Sequence, residues 1–332
     1  MTIKMLHLGL SRSRMPEEGP FVDELRRIGE LTILKNGEDM TDEERSSLIR
    51  EFDILLTMWG SAPVPVSIAE QPGRLKYICN ITGEMGRWVP LELIESSIPV
   101  TNWGDAPADS IAEAAMTLLL TTLKEVRSQT KHIEAGGWGL PENRRGLLRG
   151  LPVGVYGYGV IGRRFVELLR PFGAAIAIYD PFVPSVPEDC WRADSLEALF
   201  DHASAVVLHA GLTPETRRSV TAELLARLPD GGVVINTARG ELIDQAALFR
   251  ELESGRLRAG LDVVAGNDEL VEGDPAREWS NLTLTAHSLA KINWNLPRLL
   301  NYQVTCLDNI RRHLAGEPLQ FVMDRRRYLL ST

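Results

Sequence analysis

Short apolar runs alternate with amphipathic segments along the first hundred residues of the chain. Helix-like segments at 21–27 and 42–51 lie between runs with the length and residue types of strands, at 3–8, 31–34, 54–57, 77–81 and, more briefly, 98–102. Such alternation is typical of a parallel sheet with helices on its faces. These residues are therefore predicted to form one α/β unit.

The next segment is apolar at helical spacing. The apolar positions recur from 108 to 131 without an interior glycine or proline, which predicts one long helix. The stretch 136–146 is rich in turn-forming residues and predicts an extended arm.

A glycine-rich turn lies in the middle of the chain, between an apolar strand and a helix-like segment at 163–169. In the pattern Gly157-x-Gly159-x-x-Gly162, the first glycine permits a tight turn, the second lets a pyrophosphate approach the backbone, and the third permits close packing of helix and strand. Phosphates would bind the unpaired N–H groups of the helix N-terminus. The pattern predicts a dinucleotide site.

An acidic residue closes the following strand, predicted at 174–180. The carboxylate of Asp180 can accept hydrogen bonds from both hydroxyls of an adenosine ribose, and it would repel a 2′-phosphate. The next three residues offer no arginine to receive such a phosphate. The predicted cofactor is therefore NAD.

The strand and helix alternation resumes after this point. Strands are predicted at 205–208, 232–235, 259–264 and 282–285, and helices at 196–200, 222–228, 245–254 and 293–314. The last helix exceeds what the second sheet needs, so we expect it to return to the first unit. The predicted fold is α/β with two doubly wound parallel-sheet domains, one discontinuous (1–102 plus 290–332) and one continuous (103–289), with a cleft between them as the default active site.

Composition narrows the possible partners. The chain has 332 residues and a formal net charge of −9, which disfavours nonspecific binding to nucleic acid or to an anionic membrane. No apolar run is long enough to cross a bilayer. The three cysteines are widely spaced and form no metal-binding pattern, so we expect reduced thiols, no metal site and a cytoplasmic protein.

Three polar segments follow strand ends in the second half of the chain. They contain Arg239, Asp262 and His287. Because the carboxyl ends of parallel strands face the ligand crevice, these side chains could converge on one cofactor. Taken singly, Arg239 and His287 have more ordinary interpretations, as a surface ion pair and as a packed or capping histidine.

The segments around these residues resemble the signatures of the D-isomer-specific 2-hydroxyacid dehydrogenase family. The similar stretches are 208–217 (LHAGLTPETR), 234–244 (VINTARGELID) and 259–263 (AGLDV), and the resemblance covers nearly the whole chain. It implies a flavodoxin-like substrate domain and a Rossmann NAD domain. It also implies hydride transfer between NAD(H) and C2 of a small 2-hydroxy or 2-keto acid.

The resemblance implies roles for individual residues. Arg239 would bind the substrate carboxylate through two parallel hydrogen bonds, and His287 would be the general acid and base. Asp262 would orient the nicotinamide. The residues expected to line the cofactor are Gly157, Gly159, Val160, Ile161, Gly162, Asp180, His209, Thr213, Thr237, Ala238, Arg239, Asp262 and His287.

The carboxylate partner of the histidine is left open between neighbouring residues. The family has a glutamate here, and counting from Asp262 reaches Asn267, whereas counting from Arg239 reaches Asp268. Glu269 follows directly. We favour Asp268 as the third catalytic residue.

The substrate loop departs from the family pattern. Thr82, Gly83 and Glu84 stand where backbone N–H groups of the family hold the substrate carboxylate, and we expect Glu84 to face solvent. Trp59, Trp88, Trp103 and Trp294 lie in segments expected around the cleft. A bulky or partly apolar substrate is therefore one hypothesis, and a core role for some of these residues is another.

Two functions compete at this point. The first is an NAD-dependent D-2-hydroxyacid dehydrogenase, and the second is an NAD(H)-binding sensor or pseudoenzyme of the same fold. The long helix and the glycine-rich arm resemble the subunit contact of the family, which implies a homodimer.

Overall fold

The computed structural model describes residues 2–138, 146–266, 268–291 and 298–330. The chain divides into two compact units, one formed by Met1–Pro107 and Ile292–Thr332 and the other by Ala108–Lys291. Within the described residues each unit contains one sheet, and all pairings between its strands are parallel. The predicted fold class, α/β with two parallel-sheet domains, is confirmed.

The sheet of the first unit has the strand order β2-β1-β3-β4-β5. Its strands are β1 (Lys4–Leu8), β2 (Glu30–Leu34), β3 (Ile54–Thr57), β4 (Tyr77–Asn80) and β5 (Val100–Thr101). Its helices are α1 (Pro20–Ile28), α2 (Asp42–Ile49), α3 (Ser67–Glu70), α4 (Leu91–Ile94), α11 (Asn301–Ala315) and α12 (Arg325–Leu330). The strand order reverses between β1 and β3, where doubly wound sheets bind ligands.

Apolar clusters cover both faces of the first sheet. One cluster joins the sheet to α2, α3 and α4, and the other joins it to α1 and α11, where Leu307 and Ile310 pack with Met5 and Phe21. Burial on both faces explains why these strands are continuous apolar runs.

A buried histidine lies in β1, an inner strand of the first sheet. His7 Nδ1 lies 3.0 Å from the carbonyl of Leu56, which can only accept, so Nδ1 carries the proton. Nε2 then accepts from the Ser13 hydroxyl at 2.8 Å. Burial lowers the pKa of His7 to about 4, so the ring is neutral at neutral pH.

The sheet of the second unit has the order β12-β11-β10-β9-β6-β7-β8. Its strands are β6 (Pro152–Tyr156), β7 (Ala175–Tyr179), β8 (Trp191–Arg192), β9 (Ala205–Leu208), β10 (Val233–Asn236), β11 (Arg258–Leu261) and β12 (Leu282–Leu284). Its helices are α5 (Ala108–Leu123), α6 (Val126–Glu134), α7 (Val160–Leu169), α8 (Leu196–His202), α9 (Ala222–Arg227) and α10 (Gln245–Glu253). This is the doubly wound dinucleotide-binding order, reversing between β6 and β9.

The prediction of a single long helix over 108–131 is wrong, because the structure has two helices there, α5 and α6. Glu125, with φ 53, adopts a left-handed conformation between them. The buried guanidinium of Arg258 donates to the carbonyls of Thr122 and Leu123, at 3.5 and 3.4 Å, and pairs with the Glu125 carboxylate at 3.4 Å. Terminal helix carbonyls lack partners within the helix, so this distant cation fixes where α5 ends.

The last long helix begins later than the predicted residue 293. Residues 298–300 are not helical, and the predicted residues 293–297 lie outside the described part of the chain. The Leu300 N–H donates to the side-chain oxygen of Gln303 at 2.9 Å, which supplies a partner at the start of α11. The basic triplet 325–327 forms the first turn of α12.

Candidate functional site

The turn between β6 and α7 requires glycine at two positions and is open at the third. Gly157 has φ 94, and a Cβ there would lie 2.5 Å from the backbone nitrogen of Ala210. A Cβ on Gly162 would lie 2.2 Å from the Gly157 carbonyl oxygen. A Cβ on Gly159 would meet no atom of the described chain within 4 Å. The exposed start of α7 is therefore open for a phosphate to approach its N–H groups.

Asp180 follows β7 and is held by two backbone groups. Its Oδ2 accepts from the Tyr158 N–H at 2.7 Å, and its Oδ1 accepts from the Phe182 N–H at 2.8 Å. Each carboxylate oxygen has a second lone pair, so both can also accept a ribose hydroxyl. The half-buried carboxylate fits the adenosine end of NAD.

Two buried polar atoms at the same edge of the sheet have no hydrogen-bond partner within the described residues. They are Nε2 of His209, after β9, and Oγ1 of Thr237, after β10. Burial lowers the pKa of His209 to about 3, so its ring, which packs 5.0 Å from that of Phe165, is neutral. Unpartnered buried polar groups are rare. Their place beside the glycine turn fits a ligand that completes this edge.

The other predicted cofactor-lining residues also follow strand ends in this unit. Val160 and Ile161 begin α7, and the side chain of Val160 is 42% exposed. The Thr213 N–H donates to the Thr216 hydroxyl at 2.7 Å, which closes the turn after β9. The Ala238 N–H donates to the Asn236 side chain at 2.9 Å. Their contacts with a cofactor stay predictions.

Asp262 holds the segment that carries His287. It is 4% exposed, and its Oδ1 accepts from the Thr285 hydroxyl (2.5 Å), the Ser288 N–H (3.0 Å) and the Leu289 N–H (3.2 Å). The His287 N–H donates to the backbone carbonyl of Asp262 at 2.5 Å. This carboxylate therefore fixes the loop after β12 on both sides of the histidine.

The backbone is strained where these side chains meet. Six non-glycine residues of the described chain have positive φ, and three of them are Asp268 (φ 58), Ala286 (φ 47) and His287 (φ 49). Such conformations cost about 1–3 kcal/mol each and persist only where surrounding bonds hold them. The hydrogen bonds to Asp262 supply that constraint for Ala286 and His287.

The structure brings His287 together with Asp268. The imidazole Nδ1 contacts one Asp268 carboxylate oxygen, and the other oxygen accepts from the Val264 N–H at 3.0 Å. The imidazole side chain is 49% exposed, so it remains accessible. Glu269 is exposed, and Asn267 lies outside the described residues.

Arg239 lies on a turn after β10 that packs directly against the Asp268 loop. The Asn236 side chain donates to the Arg239 carbonyl at 2.8 Å, and the guanidinium donates to the Ala238 carbonyl at 2.7 Å. A Cβ on Gly240 would lie 2.0 Å from the carbonyl carbon of Val264. Glycine is therefore required for the turn that carries Arg239 to touch the segment that anchors Asp268.

The predicted substrate loop follows β4 in the first unit, and its carbonyl groups are held from within. The buried Asn80 side chain donates to the carbonyls of Thr82 (2.6 Å) and Glu84 (3.1 Å), and Asn102 donates to that of Gly83 (3.5 Å). The N–H groups of Thr82, Gly83 and Glu84 have no partner within the described residues. Free N–H groups of this kind bind anions.

The acidic side chain of this loop is neutralised. The Glu84 carboxylate pairs with the Arg87 guanidinium at 2.9 Å, and the Arg87 side chain is 81% exposed. The negative charge of Glu84 is therefore compensated by Arg87, and this limits the repulsion of an anion bound to the loop.

Sequence reasoning missed the amides that shape these loops. Asn80 ends β4, Asn102 follows β5 and Asn236 ends β10, and each donates to the carbonyls of the loop that follows or adjoins its strand. The available signal was their position, because an asparagine that ends a buried strand can bond the next turn.

No group of three or more metal-binding side chains occurs among the described residues. None of the described helices is long and apolar enough to span a membrane.

Comparison with known proteins identifies the family. Residues 116–288 match the family described as D-isomer specific 2-hydroxyacid dehydrogenase, NAD binding domain. The hydroxypyruvate reductase of Thermotoga maritima is 32% identical over 227 residues, which are 68% of this chain and 74% of that protein. The D-3-phosphoglycerate dehydrogenase of Methanocaldococcus jannaschii is 30% identical over 79% of this chain, but the match spans only 50% of that longer protein.

Solved structures agree in fold. The D-lactate dehydrogenase of Lactobacillus jensenii, solved with NAD+, has a TM-score of 0.80 and 21% identity, covering 97% of this chain and 100% of that chain. At this identity the likeness shows the two-domain fold alone. The description of the matched family names an NAD-binding domain. The predicted family and the predicted cofactor, NAD, are therefore both confirmed. The chain belongs to the D-isomer specific 2-hydroxyacid dehydrogenase family and is an NAD-dependent member of it.

Proposed function

We propose that the protein transfers a hydride between NAD(H) and C2 of a small 2-keto or 2-hydroxy acid, with His287 as the general acid and base. The observation that supports this most strongly is the His287–Asp268 pair. It stands on strained loops that buried hydrogen bonds hold in place. Strain of this kind clusters at functional sites.

Each residue has a defined part in the proposed reaction. Arg239 binds the substrate carboxylate, as do the free N–H groups of Thr82, Gly83 and Glu84. NADH, when bound, supplies the hydride that C2 accepts. His287 donates a proton from Nε2 to the C2 oxygen, which yields the 2-hydroxy acid, and it takes that proton back in the oxidative direction.

The carboxylate of Asp268 acts through the histidine. By accepting a hydrogen bond from the Nδ1–H group, it fixes the ring orientation and leaves Nε2 to exchange a proton with substrate. It also stabilises the imidazolium from which the proton leaves. Asp262 positions the histidine loop, and we propose that it also faces the nicotinamide.

The sensor alternative is not favoured. A protein that only binds NAD has no use for a carboxylate paired with an exposed histidine on a strained loop. The glycine turn between β6 and α7 (residues 157–162, the cofactor turn) would be sufficient for binding NAD.

The test is turnover of a panel of 2-keto acids with NADH. The purified protein should oxidise NADH and release the D-2-hydroxy acid, identified by chiral chromatography. NADH binding is followed separately by fluorescence. Binding without turnover of any keto acid or hydroxy acid would leave the sensor alternative standing.

We also propose a homodimer that forms through α6 and the predicted arm after it, of which residues 139–145 lie outside the described part of the chain. Helix α6 has no buried residue, and the exposed apolar side chains nearby are Val126 (43%), Ile133 (48%), Trp138 (92%) and Leu147 (66%). Apolar groups this exposed mark interaction surfaces. The mass from light scattering should be twice that of the chain, and Trp138→Asp should shift it towards the monomer.

A cytoplasmic location is the final part of the proposal. The three cysteines are free and buried thiols. Free thiols are typical of a reducing compartment. Fractionation of the source cells would test this.

A further inference from the structure

Two tryptophans stand beside the proposed carboxylate-binding loop of the first unit. Trp59 follows β3, Gly83 follows β4 and Trp103 follows β5, and these strands are neighbours in the sheet. All three residues therefore lie at its carboxyl edge. Trp59 also stands next to the point between β1 and β3 where the strand order reverses.

The loop rests directly on one of the indoles. A Cβ on Gly83 would lie 2.4 Å from Trp103 Nε1 and 2.6 Å from its Cε2. The Trp59 ring meets that of Trp103 edge-on, with centroids 5.5 Å apart. The Tyr302 ring lies 5.8 Å from that of Trp103 and is only 8% exposed. The indoles are thus fixed by packing.

Trp88, in the same unit, shows what a core tryptophan looks like. It is 5% exposed, and its Nε1 donates to the buried Asn80 side chain at 2.9 Å. Trp59 and Trp103 are both only half-buried. A half-buried, rigid aromatic face next to an anion-binding loop has apolar surface left to offer a ligand.

We propose that Trp59 and Trp103 form an apolar wall that selects 2-keto acids with a flat, uncharged side chain, such as an aryl group on C3. The inference rests on the proposed function, because it needs the substrate carboxylate on the loop after β4. The aryl ring gains contact with the indoles, and water is released from all three rings. A side chain as small as a hydrogen atom gains nothing.

Two arginines of the same unit support a different preference, for substrates whose side chain is anionic. Arg12 and Arg14 are exposed after β1, and the Arg14 N–H donates to the Trp59 carbonyl at 3.3 Å. These guanidiniums could attract a phosphorylated acid. The indoles, which touch the loop itself, favour the aryl group, and a phosphorylated substrate is an outcome of the test.

Trp103 is also a positioning residue for the loop. Because its indole fills the space beneath Gly83, Gly83→Ala should push the loop away and raise KM for every keto acid. Adding Trp103→Ala should remove the clash and restore part of the affinity for a small acid. A merely structural role of Trp103 would make the double variant worse than either single one.

The decisive experiment compares kcat/KM with NADH for phenylpyruvate, glyoxylate and 3-phosphohydroxypyruvate. Wild type should prefer phenylpyruvate over glyoxylate by about tenfold or more. Trp59→Ala should lower kcat/KM for phenylpyruvate by about tenfold and that for glyoxylate by less than about threefold, and Trp59→Phe should retain the preference. Trp191→Ala, at an exposed tryptophan on β8 of the other unit, is the matched control and should change neither value.

The outcomes separate the two claims. If NADH binds but no keto acid turns over, the proposed function fails. If glyoxylate or the phosphorylated acid is preferred, or if Trp59→Ala lowers all substrates equally while its thermal unfolding is unchanged, the reaction stands and the aromatic wall is wrong.

Discussion

The carboxyl edges of the two sheets are built by different means. In the second unit, carboxylates hold the functional loops, as Asp262 holds the His287 segment and Asp268 bridges His287 and Val264. In the first unit, the neutral amide of Asn80 and the packed ring of Trp103 hold the loop. In the proposed reaction the carboxylates lie where a proton moves, and the neutral groups lie where the substrate anion binds, since an uncompensated carboxylate there would repel it.

The largest expected effect is a difference in stability between alanine variants at two glycines of the cofactor turn. Gly157→Ala places a Cβ 2.5 Å from the Ala210 nitrogen at φ 94, so it should lower the free energy of unfolding by about 3 kcal/mol or more. Gly159→Ala enters open space, so it should leave stability unchanged but weaken NADH binding by roughly tenfold. Urea unfolding and NADH fluorescence measure the two effects. Equal stabilities would contradict the packing argument.

The next effect concerns the histidine's carboxylate. Asp268→Asn keeps the side-chain size but removes the charge that stabilises the imidazolium, so kcat should fall by about 10–100-fold with NADH affinity unchanged. The matched control is Glu269→Gln, at the exposed neighbour, which should leave kcat within about twofold. If Glu269→Gln is the more damaging change, Asp268 is not the partner.

Stability should depend on pH through the buried neutral histidine of the first unit. The folded pKa of His7 is lowered to about 4, so stability is fully present above the unfolded value near 6.5 and is lost as pH falls from about 6.5 to 4. The slope attributable to His7 is up to about 1.4 kcal/mol per pH unit. Urea unfolding of His7→Gln should show a shallower slope over this range. Identical slopes would mean that His7 is not held neutral.

The smallest effect tests the strain beside the histidine. Ala286→Gly places glycine at φ 47, so it should raise the free energy of unfolding by about 1 kcal/mol. Ala198→Gly, within α8, should instead lower it by about 1 kcal/mol. Thermal unfolding distinguishes the opposite signs, and a loss of stability in both variants would argue against strain at Ala286.

Local patterns predicted the strands and the cofactor turn. The glycines, the strand before them and the acidic residue after β7 lie close together in sequence, and the structure forms the predicted strand, turn and helix there. Sequence patterns over a few residues suffice there, because each glycine is required by a tight turn or by close packing against a neighbouring strand.

Long-range contacts decided what the patterns missed. The end of α5 depends on Arg258, more than a hundred residues away, which binds the helix carbonyls. The partner of His287 was ambiguous because two spacings disagreed by one residue, and only the fold of the loop brings Asp268 to the imidazole. The packing of Trp103 beneath Gly83 likewise joins two strand ends that no periodicity connects.

The most direct test of the central claim is the first-turnover rate of NADH oxidation by His287→Ala beside wild type, with NADH and the keto acid saturating. The claim predicts NADH affinity within about twofold of wild type and a rate lower by about 10²–10⁴-fold, the contribution of general acid catalysis. A variant that turns over at nearly the wild-type rate would contradict the role of His287 as proton donor.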